Sequence, residues 1–215
     1  MNNKKKITII DYGVGNILSL KNSLEHLGTD VFITNKKKEI LQSSHIILPG
    51  VGAFPAAMNL INDLRLKDIL HSAVSSNINL LGICLGMQLL LTESEEFTTT
   101  KGLNLIPGKV RSIEKFFKKN KRLKLPHIGW NQIIERDEKN ERNKLVENIS
   151  KEDHFYFVHS FISITDNINH HLFFAKYEDI MIPAVIGFKN IYGFQFHPEK
   201  SGKAGLKLLK NFINL

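Results

Sequence analysis

The chain has one cysteine and one tryptophan among 215 residues. No apolar run in it approaches the ~20 residues that a membrane-spanning helix requires. A single thiol cannot close an internal disulfide, so the cytoplasm is the expected compartment and no membrane is involved. The lysine-rich start MNNKKKITIIDYG carries only Ile7–Ile10 before Asp11. That is too short for the apolar core of an export signal and reads as a first strand. Paired-cysteine and His-Glu-x-x-His spacings are missing, as is a phosphate loop, so no metal and no cofactor are expected. Acidic residues are the scarcer charge, 21 against 29 lysines and arginines, for a net of +8. The densest basic stretch, KFFKKNKRLK (115–124), lies between strand-like segments without the aromatic-plus-basic signature of a nucleic-acid module. It reads as an exposed hairpin on a lysine-rich solvated surface, and no nucleic-acid partner is expected.

What is present is a sizeable core, with 42% hydrophobic residues in a length suited to one domain spanning 1–215. The first half alternates. ITIIDY reads as a strand closed by Gly13 and Gly15, then Asn16 opens a helical pattern that Gly28 ends. DVFITN and SHIILPG read as further strands, FPAAMNLINDLRLKDILHSAV as one long amphipathic helix, and NLLGIC as a fourth strand. Apolar strands separated by helices indicate a mostly parallel open sheet flanked by helices. After about residue 105 the segments IPGKVRSIEKFF, LPHIGWNQIIE, FYFVHSFISI, HHLFFAKYE and PAVIGFKNIYGFQFH read as a β-rich, antiparallel second half. A helix over GKAGLKLLKNFI closes an α/β fold.

The lone cysteine stands in Gly82-Ile83-Cys84-Leu85-Gly86, where a strand pattern turns into a helix. This is the nucleophile-elbow spacing with sulfur in place of a serine oxygen. So sharp a turn leaves little room for side chains at the flanking positions, which accounts for both glycines. It sets the thiol at a helix N-terminus, where the dipole and unpaired amides favour an anion and lower a thiol from its usual value of about 8.5. The same amides suit an oxyanion. A small buried cysteine in an apolar stretch is the competing reading, so the thiol needs a partner base.

Nine histidines are available. His26 and His71 fall within helical patterns, and His170-His171 reads as a surface pair. In YGFQFHPEKS, however, His197 ends a strand over Tyr192–Phe196, Pro198 stops the ladder, and Glu199 follows within reach of the ring. A nucleophile, a base and a carboxylate that orients the base make a triad. A second glycine turn, LPGVGAF (48–54), follows the third strand on the same C-terminal sheet edge as Cys84, where open α/β proteins place their sites.

Taken together these blocks resemble the class I, triad-type glutamine amidotransferases. Within that family they resemble the branch of glutaminase subunits of imidazole glycerol phosphate synthases of histidine biosynthesis. The resemblance runs nearly end to end through IIDYGVGNILSLKNSLEHLG, ILPGVGAF, GICLGMQLLLTESEE, GLNLIPGKV, PHIGWNQI, FYFVHSF and GFQFHPEKS. It implies hydrolysis of L-glutamine to glutamate and ammonia through a thioester on Cys84, with His197 as base and acid and Glu199 orienting it. The oxyanion would be held by the amides of Val51 and Leu85. Glutamine would be held by Gly50, Gly52, Gln88 and Glu96, with help from Tyr156, His159 and Ser160; Gln88 lies one helical turn beyond Cys84. The resemblance also implies a heterodimer with a (β/α)8 cyclase that receives the ammonia and makes imidazole glycerol phosphate and AICAR. Its docking face would include Gly13, Val14, Gly15, Asn16, His127, Trp130 and Asn131. For Trp130 a place in the core is an equal expectation.

The segment before the His-Pro-Glu block departs from that branch, with Phe194 where a smaller residue is common. Paralogues that supply ammonia for amidating a sugar nucleotide in surface-polysaccharide synthesis would carry the same triad. A cysteine hydrolase or peptidase of similar architecture, or a non-catalytic binding subunit, are the alternatives from other classes. Gln88 with the acidic TESEE favours a free amino acid over a peptide, and an intact triad argues against a purely binding role.

Overall fold

The structure, a computed structural model, describes residues 5–117, 124–136 and 144–215. Residues 118–123 of the expected basic hairpin lie outside them. The chain opens with strand β1 (Lys6–Ile10), helix α1 (Ile17–His26), β2 (Asp30–Thr34), the short α2 (Lys37–Leu41) and β3 (His45–Leu48). Then come α3 (Phe54–Asp63), α4 (Leu66–Ser75), β4 (Asn79–Ile83) and the short α5 (Leu85–Leu89). The single long helix expected over 54–74 is thus two. Arg65 adopts a left-handed conformation, with φ of 54°, and ends one helical axis before the next begins.

The second half supplies β5 (Glu93–Ser94), β6 (Thr100–Lys101), β7 (Gly108–Ser112), β8 (His127–Gln132) and β9 (Ile134–Glu135). It continues through β10 (His154–His159), β11 (Phe161–Thr165), β12 (His171–Tyr177), β13 (Ile180–Phe188), β14 (Ile191–Phe194) and α6 (Gly202–Ile213). An eight-stranded sheet runs β2-β1-β3-β4-β14-β13-β12-β9. Its first five strands are mutually parallel, and the remaining pairings are antiparallel. A four-stranded sheet β11-β7-β5-β6 and a β10-β8 ribbon pack beside it.

The second half is therefore not antiparallel throughout. β14 hairpins back from β13 yet lies parallel to β4, with Gly193 opposite Gly82 and Phe194 opposite Ile83. That one pairing brings the end of the chain's last strand beside the cysteine turn.

Side chains alternate across the main sheet as strand geometry requires. Ile46, Leu48 and Leu80 face α2 to α5, whereas Ile7, Ile9, Ile47 and Leu81 face Leu20 and Leu24 of α1 and Leu208 and Phe212 of α6. The segment FYFVHSFISI is broken at Ser160, and its two strands join different sheets. His171, expected on the surface, is buried and accepts the amide N–H of Thr165 on Nε2 at 3.1 Å. Among the described residues no helix is long and apolar enough to cross a membrane.

Candidate active site

Two glycines make room for the turn that carries the thiol. A Cβ on Gly86 would lie 1.9 Å from the carbonyl oxygen of Leu48, and one on Gly82 would lie 2.5 Å from the carbonyl oxygen of Gly86. Neither position admits any side chain without moving backbone. Cys84 itself takes φ 54° and ψ −110°, strained for a residue with a Cβ. Its amide N–H donates to the carbonyl of Phe194 at 2.7 Å, and its carbonyl receives the first helical bond from Gln88 at 3.3 Å.

Beyond β14 the chain is held by its backbone. The amide N–H of His197 donates to the carbonyl of Tyr156 at 2.9 Å, and the Ser201 hydroxyl donates to the carbonyl of His197 at 2.6 Å. The same hydroxyl accepts the Tyr156 N–H at 3.0 Å. Nδ1 of His197 donates to Oε1 of Glu199 at 2.8 Å, which leaves Nε2 for Cys84. Burial opposes charge on this ring, but hydrogen bonds to Cys84 and then Glu199, with the negative charge of both, push its pKa up to about 10. The site thus favours an imidazolium between a sulfur and a carboxylate. Oε2 of Glu199 is buried with no hydrogen-bond partner among the described residues, so the carboxylate's charge is directed to the ring.

Cys84 is only 7% exposed, but that exposure opens into a cleft of about 380 Å³. Val51, Gly52, Leu85, Gln88, Glu96, His159, Ser160 and His197 share its walls with Pro126, Val158 and Phe161. The three acids of TESEE have separate fates. Glu93 is held down to about 2 by hydrogen bonds from Lys101 and Lys109, and Glu95 pairs with Lys115 and Arg111. Glu96 alone turns inward, its Oε2 accepting the Phe54 N–H at the start of α3 at 2.7 Å. A cleft of this size with one carboxylate and one thiol suits a small zwitterion.

Gly50 is buried behind this wall, where a Cβ would meet the Tyr12 hydroxyl at 2.8 Å and Gly86 N at 2.9 Å. Tyr12 in turn donates to the carbonyl of Pro49 at 2.7 Å, tying down the root of the loop that carries Val51, which is 44% exposed. Burial, and then the charge of Cys84, push the Tyr12 phenol up.

Three expected positions fall elsewhere. Tyr156 does not line the cleft: its ring meets Trp130 edge-on at 5.7 Å and lies under Lys200 Nζ at 5.7 Å, and it is its backbone that serves the site. His127 is not on a docking face but buried, stacked between Phe157 and Tyr177 at centroid distances of 5.1 and 4.1 Å. Its Nδ1 pairs with Nε2 of His159 at 3.0 Å and its Nε2 with Oδ1 of Asn131 at 2.9 Å. His159, lowered to about 3 by burial and then by His127, stays neutral, and its Nδ1 donates to the carbonyl of Phe161 at 2.9 Å. Alternation on β8 explains the split. His127 and Asn131 face inward, whereas Trp130 is 55% exposed, with Ile128 beside it on the outer face. Of the two expectations for Trp130, the core is the one not met. Gly13 is exposed and Val14, Gly15 and Asn16 are half-buried at the C-terminal end of β1.

Gln195 is the residue that reading the sequence missed. It is fully buried, with Nε2 3.9 Å from the Cys84 sulfur and Oε1 receiving Gln88 Nε2 at 3.2 Å. A polar residue between two phenylalanines in a buried run must find partners, and that was the available signal. A second cleft of about 360 Å³, lined among others by Gln132, Ile133, Ser150, Lys151 and Phe173, includes neither Cys84 nor His197.

Solved structures with this architecture include one of a glutamine amidotransferase, with a TM-score of 0.71, 16% identity and coverage of 97% of this chain and 99% of that one. PurLQS of Thermotoga maritima aligns with a TM-score of 0.71 at 16% identity over 98% of each chain. At these identities the likeness is one of fold. In sequence, the chain is 43% identical over 209 residues to the imidazole glycerol phosphate synthase subunit HisH of Geobacillus sp. (strain WCH70), covering 97% of this chain and 96% of that protein. It is 42% identical over 206 residues to the subunit of the same name in Bacillus mycoides (strain KBAB4), covering 96% and 93%. The family described as glutamine amidotransferase class-I matches residues 8–215, and with the relatives' identity over nearly their full length this shows that the chain belongs to the class-I glutamine amidotransferases.

Proposed function

We propose that this chain is the glutaminase subunit of an imidazole glycerol phosphate synthase, a cytoplasmic enzyme that hydrolyses L-glutamine and delivers ammonia to a (β/α)8 cyclase. The observation that carries the chemistry is the buried line Cys84–His197–Glu199, with an imidazolium favoured at its centre. The thiolate of Cys84 attacks the side-chain carboxamide carbon of glutamine. The carbonyl π pair moves to oxygen, a charge assigned in this reading to the amides of Val51 and Leu85, both of which line the cleft. The His197 imidazolium gives its Nε2 proton to the amide nitrogen, the C–N bond breaks, and ammonia leaves a γ-glutamyl thioester. Neutral His197 then takes a proton from water, and the hydroxide adds to the thioester carbon. Collapse expels the thiolate and releases glutamate, restoring the starting charges.

Glu96, the one inward-facing acid of its segment, is the natural partner of the substrate ammonium. Gln88, His159 and Ser160 border the remainder of the substrate. Ammonia is mostly protonated in water at neutral pH and is then no nucleophile, so a product released at the cleft is used only if a partner receives it directly. The exposed pair Ile128 and Trp130, with the glycine loop at Gly13 and Gly15, supports a docking face of the aromatic-anchored kind. The test is a reconstitution with the cyclase. Cys84→Ala abolishes glutamine-dependent synthesis while ammonium salts still drive it; loss of both activities, or retention of both, contradicts the division of labour.

A further inference from the structure

The carbonyl of Phe161 can only accept a hydrogen bond, and it fixes the direction of every amide between it and the active-site sulfur. Nε2 of Gln88 lies 3.1 Å from that oxygen, so the atom facing it carries the hydrogens. Its second hydrogen meets Oε1 of Gln195 at 3.2 Å. Gln195 therefore turns its own N–H2 toward Sγ of Cys84, 3.9 Å away. Inverting Gln195 would set two donors against each other and strand a hydrogen of Gln88 in a fully buried place, a cost that holds the chain in one direction.

We propose that Gln195 holds Cys84 as the thiolate between turnovers. The inference rests on Cys84 being the nucleophile. Among the described residues the sulfur meets, besides His197, the carbonyl of Val158 at 3.9 Å, which accepts a thiol hydrogen and so favours the neutral form. Gln195 opposes it: its N–H binds a sulfur lone pair and gains strength as charge develops there. His197 supplies the mobile proton, whereas Gln195 supplies a fixed donor that never leaves. A fixed donor is in place both before attack and when collapse of the second adduct expels the sulfur as the thiolate.

The chain's only cysteine makes the test direct, because every alkylated molecule reports Cys84. The rate of modification by iodoacetamide, a small neutral probe, is measured against pH by intact mass. In Gln195→Met, which keeps the side chain's length without its polar atoms, the midpoint moves up by about one pH unit and the rate at pH 7 falls about tenfold. Gln88→Met frees the Gln195 amide to rotate and moves the midpoint in the same direction by less. A folded variant of either kind with the wild-type midpoint overturns the proposal, since a purely structural role changes melting and not thiol ionisation. In the wild-type chain the Gln195 side-chain amide resonances shift with pH at the alkylation midpoint, and resonances that ignore it overturn the proposal without any variant. Glutaminase activity surviving in Cys84→Ala would refute the nucleophile but leave the alkylation result standing, so the two failures are separable.

Discussion

The amide N–H of Cys84 donates to the carbonyl of Phe194 at 2.7 Å, three residues before His197 in the chain. This one backbone bond extends the β4–β14 ladder to the very turn that carries the thiol, so the nucleophile and its base stand just past the ends of two neighbouring strands of a buried sheet, the base held further by Tyr156 and Ser201. A site built on such strands keeps its geometry without help from substrate.

Glu199→Gln keeps the size of the carboxylate and removes its charge. Both Cys84 and Glu199 raise the His197 pKa, so the substitution lowers it from about 10 and the alkaline limb of the rate profile moves toward neutrality. With the ring less well oriented, turnover falls by about a hundredfold to ten-thousandfold. Glutamine-dependent ammonia release measured from pH 6 to 11 checks both effects; an unmoved limb sinks the electrostatic role of Glu199.

Gly86→Ala places a methyl group 1.9 Å from the Leu48 carbonyl, in contact with backbone that cannot rotate away. A loss of at least about 3 kcal/mol is expected, or no folded protein. Gly13→Ala meets nothing within 4 Å and incurs only the strain of φ 91°, about 1 kcal/mol. Thermal melting of the two variants should rank them widely apart, and near-equal melting would contradict the close approach at the turn.

Acidification destabilises the chain between about pH 6.5 and 4. Burial lowers His45 and His171 to about 4 and His159 to about 3, so over this window the unfolded chain binds protons that the folded chain refuses. Stability therefore rises with pH up to the unfolded histidine value of about 6.5. His197 has the opposite sign in its own window. Its contribution is fully present below about 6.5 and is lost as pH rises through about 10. Denaturant titrations at pH 4.5, 6.5 and 9.5 check the sequence of slopes, and a chain most stable at pH 4.5 contradicts it.

Trp130→Ala removes a largely exposed ring that meets Tyr156 edge-on. Melting should change little, while affinity for the proposed cyclase partner falls about thirtyfold, the loss of a typical aromatic anchor. Titration calorimetry gives the affinity; full affinity would move the docking face elsewhere.

The parallel half of the fold was legible in the sequence because each strand there is apolar on both faces and each is punctuated by glycine. The Cys84 turn and the His197–Glu199 pair were legible for a related reason: steric demand and imidazole chemistry leave marks at fixed local spacing. Arg65 gave no such mark, being an ordinary helix former that takes a left-handed φ between two helices. The parallel pairing of β14 with β4 joins residues more than a hundred positions apart, and no local pattern records it. His127, Asn131 and Tyr156 were misplaced for want of strand register. One residue's shift in β8 or β10 exchanges the inner and outer faces, and only the pairing of His159 with His127 fixes which is which. Gln195 was overlooked because its partners, Cys84 and Gln88, meet it only once the sheet is formed.

The most direct measurement is intact-mass analysis of the chain with the proposed cyclase partner, acid-quenched during glutamine turnover. A γ-glutamyl adduct confined to the peptide containing Cys84, and missing from Cys84→Ala, is the predicted result. Steady ammonia release with no adduct at any time in the turnover, or release that persists in Cys84→Ala, would show that the sulfur does not carry the reaction.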